Sequence, residues 1–176
     1  MKLPSRRKRG GFTLLELAVA ITGGMAVAGI CIALMSQQLA FLQIFGAQTF
    51  LTEEAPLVNM HVTRMVGKAE RFRLHASVDD ALSGSNPQTS GAPVLVLNFR
   101  QPDGTMRASI LSFETRGSSK GLYYYLVPVT GSLGTPQWHV TKKARGITFA
   151  VQSGILRMTL TGPNGEVITY SGTMGQ

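Results

Sequence analysis

The feature that most constrains this chain is an unbroken apolar run that begins at Phe12 and continues to about Met35. About 20 consecutive apolar residues are enough to cross a bilayer as an α-helix. A basic cluster ends just before the run, at the glycine pair Gly10 and Gly11. Inside the run lies one carboxylate, Glu16, which is one helical turn from Phe12 and on the same face. A charge within a membrane helix costs about 2.5–3.5 kcal/mol on insertion scales, which indicates a function for Glu16.

The positive charge of the chain is concentrated at its N-terminus. The net charge is +8, and five of the seventeen cations precede Gly11. These five are Lys2, Arg6, Arg7, Lys8 and Arg9. After Gly11, twelve cations face nine acids, so the excess is only three. Basic residues beside a spanning segment hold that flank in the cytoplasm, so we expect the rest of the chain on the far side of the membrane. Nucleic acid is therefore not predicted as a partner.

The start of the chain resembles the class III signal of prepilins, the precursors of type IV pilin-like proteins and of the pseudopilins of type II secretion systems. The matching residues are the basic leader Arg6, Arg7, Lys8 and Arg9, followed by Gly11, Phe12, Thr13 and Glu16. The resemblance implies that a prepilin peptidase cuts after Gly11, that the freed amine of Phe12 is methylated, and that the product assembles into a filament. It implies three partners: the peptidase, other pilins or pseudopilins, and the lipid of a bacterial inner membrane.

The same resemblance gives Phe12, Thr13 and Glu16 a role in assembly. A buried carboxylate is tolerated only when it is paired or protonated. We expect Glu16 of an incoming subunit to pair with the amine of Phe12 in a docked subunit, which would set the axial stagger of the filament. The competing interpretation is that Glu16 only caps the positive N-terminal end of its own helix.

Other targeting signals compete for the same residues. An ordinary secretory signal would be cut near residues 26–28 (AVA), but the apolar run continues beyond the usual length of about 7–15 residues. A twin-arginine signal would start at Ser5, but Arg9 stands where that motif favours an apolar residue. A lipoprotein signal would use Cys31, but the residue before it is bulky. A plain signal anchor fits the hydropathy and leaves Glu16 unexplained.

Four segments are predicted along the chain. They are a basic leader over residues 1–11, a transmembrane helix over 12–36, an amphipathic helix over 37–75, and a β-rich periplasmic domain over 76–176. Apolar residues spaced by three and four support the second helix, and a break is expected near Pro56 because proline lacks a backbone donor. These apolar residues are Val58, Val62, Met65, Ala69 and Phe72. The predicted class is α+β, and the resemblance implies a pilin-like arrangement with the long helix packed on an antiparallel sheet.

Six or seven strands are predicted in the C-terminal part, after a polar segment at residues 77–93 that is interpreted as a surface loop. The predicted strands are 94–100, 105–114, 122–127, 138–141, 147–152, 155–161 and 166–171. Residues 101–104 (QPDG) predict a hairpin turn. The alternation of Ile147, Phe149 and Val151 with less apolar neighbours predicts one buried face.

Neither a catalytic constellation nor a cofactor site is predicted, and the chain is not expected to be an enzyme. Cys31 is the only cysteine, which excludes an internal disulfide. We interpret His61, His75 and His139 as ordinary surface or half-buried histidines, and the basic segment 142–145 (KKAR) as a solvated turn. The second functional hypothesis is a single-pass, membrane-anchored periplasmic module that binds a ligand and does not polymerise.

Overall fold

The computed structural model describes residues 13–129 and 133–172. These residues form two compact units, one ending at Ile44 and the other beginning at Phe45. Helix α1 covers Leu14–Thr49, a π-helical turn covers Phe50–Glu54, and helix α2 covers Ala55–Lys68. The helical segment contains a stretch that is long and apolar enough to cross a membrane. With the antiparallel sheets that follow, the chain belongs to the α+β class, as predicted.

Nine strands form two antiparallel sheets in the part of the chain that the structure describes. The larger sheet has the order β2-β1-β3-β4-β5-β6, and the smaller sheet has the order β7-β8-β9. Their bounds are β1 Arg71–His75, β2 Pro87–Gln88, β3 Val94–Arg100, β4 Met106–Arg116, β5 Ser119–Leu126, β6 Trp138–Thr141, β7 Gly146–Gln152, β8 Ile155–Thr161 and β9 Val167–Gly172. The prediction of a single sheet is wrong. The predicted strands do not include β1 and β2. The last three strands form a separate sheet, which is joined to the larger sheet by a bridge between Ala92 and Phe149.

The chain remains helical through Pro56, and the disturbance precedes this residue. The N–H of Ala55 donates to the carbonyl of Phe50, five residues back, which is the wider spacing of a π-helix. Pro56 then lies in the first turn of α2, where a missing N–H group is tolerated. The predicted break near Pro56 is therefore a π-helical turn rather than the end of a helix.

Helix α2 ends at Lys68, so the prediction of a helix up to residue 75 is wrong at this end. Ala69 already has an extended backbone, and β1 begins two residues later and pairs along its whole length with β3. The helical spacing of apolar residues continues to Phe72, but Phe72 and Leu74 also alternate with the period of a strand. Hydrogen bonding to β3, which lies far along the chain, decides between the two patterns.

The segment 77–93, predicted as a loop, contains the short helix α3 (Val78–Ser83) and strand β2. The hydroxyl of Ser77 accepts the backbone N–H of Asp80 at 3.0 Å and caps the start of α3. Gly84 ends the helix with a φ of 70°, a conformation that favours glycine. Helix α3 packs against the second face of the larger sheet, beside a small cluster that includes Tyr125.

The main core lies between α2 and both sheets. Its members include Val58, Val62 and Val66 from α2, Leu95, Leu97 and Leu111 from the larger sheet, and Ile147, Phe149 and Leu160 from the smaller one. The predicted buried face of β7 is confirmed, since Ile147 and Phe149 are buried and Val151 is half-buried. Each fully buried apolar side chain contributes about 1.5–3 kcal/mol, so this three-way contact stabilises the unit that begins at Phe45.

Candidate functional site

The predicted processing site lies outside the residues that the structure describes. This applies to the leader residues Arg6, Arg7, Lys8 and Arg9 and to Gly11 and Phe12 on either side of the cut. Cleavage and methylation therefore stay predictions. The structure describes the N-terminal site from Thr13 onward, so it gives the positions of Thr13, of Glu16 and of the helix that follows them.

Thr13 and Glu16 form a reciprocal pair of hydrogen bonds at the start of α1. The backbone N–H and the hydroxyl of Thr13 both donate to Oε2 of Glu16, at 2.9 and 3.0 Å. In return, Oγ1 of Thr13 accepts the N–H of Glu16 at 3.2 Å. This is a capping box, in which the sequence Thr-x-x-Glu satisfies N–H groups that a helix start leaves without partners. Glu16 thus caps its own helix, and it does so through one of its two oxygens.

Helix α1 exposes apolar side chains along the stretch that could span a membrane, and none of that stretch is buried within the chain. The exposed side chains include Leu14, Leu15, Leu17, Val19, Ile21, Met25, Val27, Ile30, Ile32, Leu34 and Met35. A helix that is apolar all round is stable inside a protein core or in a membrane. This stretch of α1 is long and apolar enough to cross a membrane.

Three glycines in the apolar stretch of α1 have no close contacts with the residues that the structure describes. A Cβ atom built on Gly23, Gly24 or Gly29 would meet no atom within 4 Å. Glycine within a helix costs about 1 kcal/mol relative to alanine, so α1 carries helix-weakening residues that its own packing does not use. The hydroxyls of Thr22 and Ser36 donate to carbonyls one turn earlier, which satisfies these polar groups without an outside partner.

The basic segment 142–145 is connected to the π-helical turn through Glu54. Lys143 Nζ lies 2.9 Å from Oε2 of Glu54, and the hydroxyl of Thr141 donates to Oε1 at 2.7 Å. Partial burial would raise the pKa of Glu54, but the hydrogen bonds from Lys143 and Thr141 and the charge of Lys143 outweigh it, so this pKa is lowered. Lys142 and Arg145 are exposed, which agrees with the predicted solvated turn.

The three histidines differ in their surroundings. His75 is buried, with 1% of its surface exposed, so the prediction of a surface or half-buried residue is wrong for it. Its Nδ1–H donates to the carbonyl of Ser85 at 2.8 Å. His61 and His139 are exposed. Within residues 13–129 and 133–172, no three His, Cys, Asp or Glu side chains are close enough to hold a metal ion.

A second polar cluster joins β4 to β5. The Tyr125 hydroxyl donates to Glu114, and Arg116 donates to the Tyr125 hydroxyl at 3.2 Å. Burial, followed by the hydrogen bond to Glu114, raises the pKa of Tyr125 to about 12. The phenol therefore stays protonated at neutral pH and acts as a hydrogen-bond donor between the strands.

The sequence gives little indication of a groove that lies between α2 and the larger sheet. Its volume is about 650 Å³. Arg64 and Lys68 line it from the helix, and Arg107, Tyr124 and Trp138 line it from three different strands. Because these residues are far apart in the sequence, only the pairing of the strands brings them together. The sequence offers one indication of the groove, the single tryptophan Trp138. The residues beside it show no pattern that is typical of burial.

Comparison of the chain with protein families, with curated proteins and with solved structures finds no match. Function is therefore inferred from the residues and geometry of the chain itself. These define an α+β chain whose N-terminal helix is long and apolar enough to span a membrane.

Proposed function

We propose that this chain is a minor pseudopilin or pilin-like subunit that is cut after Gly11, methylated at Phe12 and assembled into a type II secretion pseudopilus or a type IV pilus-like filament. Before assembly it is a single-pass protein of the inner membrane, with a cytoplasmic N-terminus and a periplasmic C-terminal unit. The observation that carries the proposal is the placement of one carboxylate, Glu16, at the start of an otherwise apolar and exposed helix.

The surface of α1 supports a subunit that gains partners. The apolar side chains in its membrane-length stretch are exposed, and a Cβ added at Gly23, Gly24 or Gly29 would meet no described atom within 4 Å. Small residues allow membrane helices to approach one another closely. A bundle of such helices in a filament core would use both the apolar side chains and the glycines.

The hydrogen bonds of Glu16 are compatible with a second partner. Both bonds from Thr13 end on Oε2, and neither uses Oε1. An ionised carboxylate offers about four acceptor sites on its two oxygens, so Oε1 can accept a further donor. Cleavage after Gly11 would leave Thr13 and Glu16 intact and would create an amine at Phe12. Pairing of Glu16 with the Phe12 amine of a neighbouring subunit would offset the cost of a charge in an apolar core.

One observation favours the second functional hypothesis, a membrane-anchored periplasmic module that does not polymerise. The capping box already gives Glu16 a local role, and a capping carboxylate near a helix start needs no neighbouring subunit. In this hypothesis α1 is only an anchor, and Gly23, Gly24 and Gly29 serve no packing contact.

Mass spectrometry of the protein purified from its native membrane separates the two hypotheses. The filament hypothesis predicts a mature chain of 165 residues that begins at Phe12 and carries one additional methyl group. The anchor hypothesis predicts an intact leader or a cut near Ala28. A chain that still begins at Met1 would contradict the proposal.

The same preparation tests Glu16 with two matched variants. Glu16→Gln keeps the capping box, since glutamine serves at this position as glutamate does, but it removes the charge. Thr13→Ala breaks the box and keeps the charge. The proposal predicts that Glu16→Gln is cut normally but is lost from filaments, whereas Thr13→Ala, which keeps the charge, is incorporated to a greater extent than Glu16→Gln. If Glu16→Gln enters filaments as the wild type does, the charge is not needed for assembly and Glu16 acts only as a cap.

A further inference from the structure

The groove between α2 and the larger sheet has one wall formed by the helix, which carries basic residues, and a floor formed by the strands, which carries aromatic residues. The wall is the C-terminal half of α2, where Arg64, Met65 and Lys68 lie on one side of the helix. The floor is the face of β3 to β6 that turns toward α2, and it includes Tyr124 and Trp138. Neighbouring strands lie about 4.8 Å apart, so the floor is about 14 Å wide, which fits roughly four residues of an extended chain.

The charge of the groove is positive and largely uncompensated. None of the residues that line it is acidic. Arg100 at its edge is neutralised by Glu70, with two hydrogen bonds of 2.8 and 2.9 Å. Arg64, Lys68 and Arg107 are exposed, and none of them forms an ion pair with a carboxylate within residues 13–129 and 133–172. These three cations converge on one groove, which attracts a ligand with several negative charges.

The floor of the groove offers an apolar aromatic surface beside these cations. Trp138 is 51% exposed, and its ring meets that of Tyr124 edge to face, with centroids 5.4 Å apart and planes at 65°. The Tyr124 hydroxyl is within 2.8 Å of Ser109 Oγ, which fixes the ring. A second edge-to-face contact joins Trp138 to His61 at 6.4 Å. Crossed rings do not form the parallel platform on which successive nucleobases stack, but they accommodate one apolar side chain.

We propose that this groove binds an acidic peptide segment of a partner protein. The carboxylates of the segment contact Arg64, Lys68 and Arg107, and one aromatic or apolar side chain packs against Trp138 and Tyr124. This inference goes beyond the proposed function and does not depend on it, since the groove lies within the unit that begins at Phe45. It holds whether or not the chain polymerises.

Trp138 is the only tryptophan of the chain, so its fluorescence reports directly on the groove. The full chain in neutral detergent micelles is titrated with the peptide acetyl-Asp-Glu-Phe-Asp-Glu-amide. The expected result is a saturable change in emission that weakens as sodium chloride is added, because salt screens exposed charges. The same peptide with glycine in place of phenylalanine should bind more weakly, and a peptide with lysine in place of each acid should not bind.

Variants locate the binding surface. Single substitutions Arg64→Gln, Lys68→Gln and Arg107→Gln should each weaken binding by about two- to fivefold, the range for an exposed charge pair, and the triple variant by at least about tenfold. All three side chains are exposed, so circular dichroism should show no loss of folding. Arg157→Gln, an equally exposed cation on the smaller sheet, is the matched control and should leave binding unchanged.

Three results would overturn the proposal. The first is the absence of a saturable change with the acidic peptide. The second is a triple variant that binds the peptide as tightly as the wild type does. The third is tighter binding of an oligothymidylate than of the peptide, with the same dependence on Arg64, Lys68 and Arg107, which would identify the partner as single-stranded nucleic acid.

Discussion

Gly121 illustrates how one missing side chain allows two strands to pair. A Cβ atom at this position would lie 2.5 Å from the carbonyl oxygen of Thr141 and 3.3 Å from Cα of Lys142. Both are backbone atoms, which cannot rotate away as a flexible side chain can. The register between β5 and β6 shifts next to this glycine, between Leu122 and Tyr123. Gly121 is therefore needed for the space it leaves rather than for an unusual backbone angle.

The substitution Gly121→Ala should destabilise the protein by about 1–3 kcal/mol, because the added methyl group forces β6 away from β5. The matched control is Gly67→Ala in α2, where an added Cβ meets nothing within 4 Å. This control should stabilise the protein by about 0.5–1 kcal/mol through helix propensity. Urea unfolding of the full chain in micelles, followed by circular dichroism, measures both. Equal effects of the two substitutions would contradict the steric argument.

At the scale of elements, the π-helical turn Phe50–Glu54 couples the helices to the sheets. Phe50 is 4% exposed and belongs to the main core, while Glu54 reaches Thr141 at the end of β6 and Lys143 just after it. The turn thus brings the apolar side chain of Phe50 into the main core and the acidic side chain of Glu54 into contact with the sheet region. Pro56 lies two residues after Glu54 and lacks the backbone N–H group that would donate to a carbonyl of the preceding turn.

The variant Glu54→Gln tests this connection and its pH dependence. The pKa of Glu54 is lowered in the folded protein, so its contribution to stability is present at neutral pH and is lost as the pH falls below 4.5 through the folded-state value. At pH 7 the variant should be less stable than the wild type by about 1 kcal/mol, since Lys143 is mostly exposed and solvent screens the pair.

At about pH 3 the difference between the Glu54→Gln variant and the wild type should shrink toward zero, because protonation of Glu54 in the wild type removes the charge that the variant already lacks. Urea titrations at the two pH values give the two differences. The neighbouring substitution Glu53→Gln, at an exposed position, is the control and should change little at either pH. If Glu54→Gln lowers the free energy of unfolding by the same amount at both pH values, the charge of Glu54 does not contribute to stability.

The strands that follow residue 93 could be predicted from the sequence because their signals are local. The alternation in Ile147 and Phe149 and the turn at residues 101–104 lie within a few residues of the elements they define. Strand β1 could not be predicted, since Phe72 fits both a helix and a strand and its pairing with β3 is not local. The same applies to the groove, whose cations come from α2 and β4. The capping box of Thr13 and Glu16, in contrast, follows from a four-residue pattern in the sequence.

At the scale of the whole molecule, the core is confined to one of the two units. Every member of the two buried clusters lies at or beyond Phe50. Among the described residues 13–44 of the other unit, apolar side chains are exposed and none belongs to the buried core. The stability of the sheets should therefore not depend on the segment that could span a membrane.

This independence predicts that a fragment of residues 45–176 folds without detergent. It removes the exposed apolar residues of α1 up to Ile44 and retains Phe50, Glu54 and the whole core, so it should unfold cooperatively in urea. A fragment of residues 55–176 is the matched control. It lacks the buried Phe50 and the ion pair of Glu54, and should be less stable by about 3–5 kcal/mol, the cost of truncating a buried phenylalanine. If the longer fragment aggregates or shows no cooperative transition, residues before Phe45 contribute to folding and the two units are not independent.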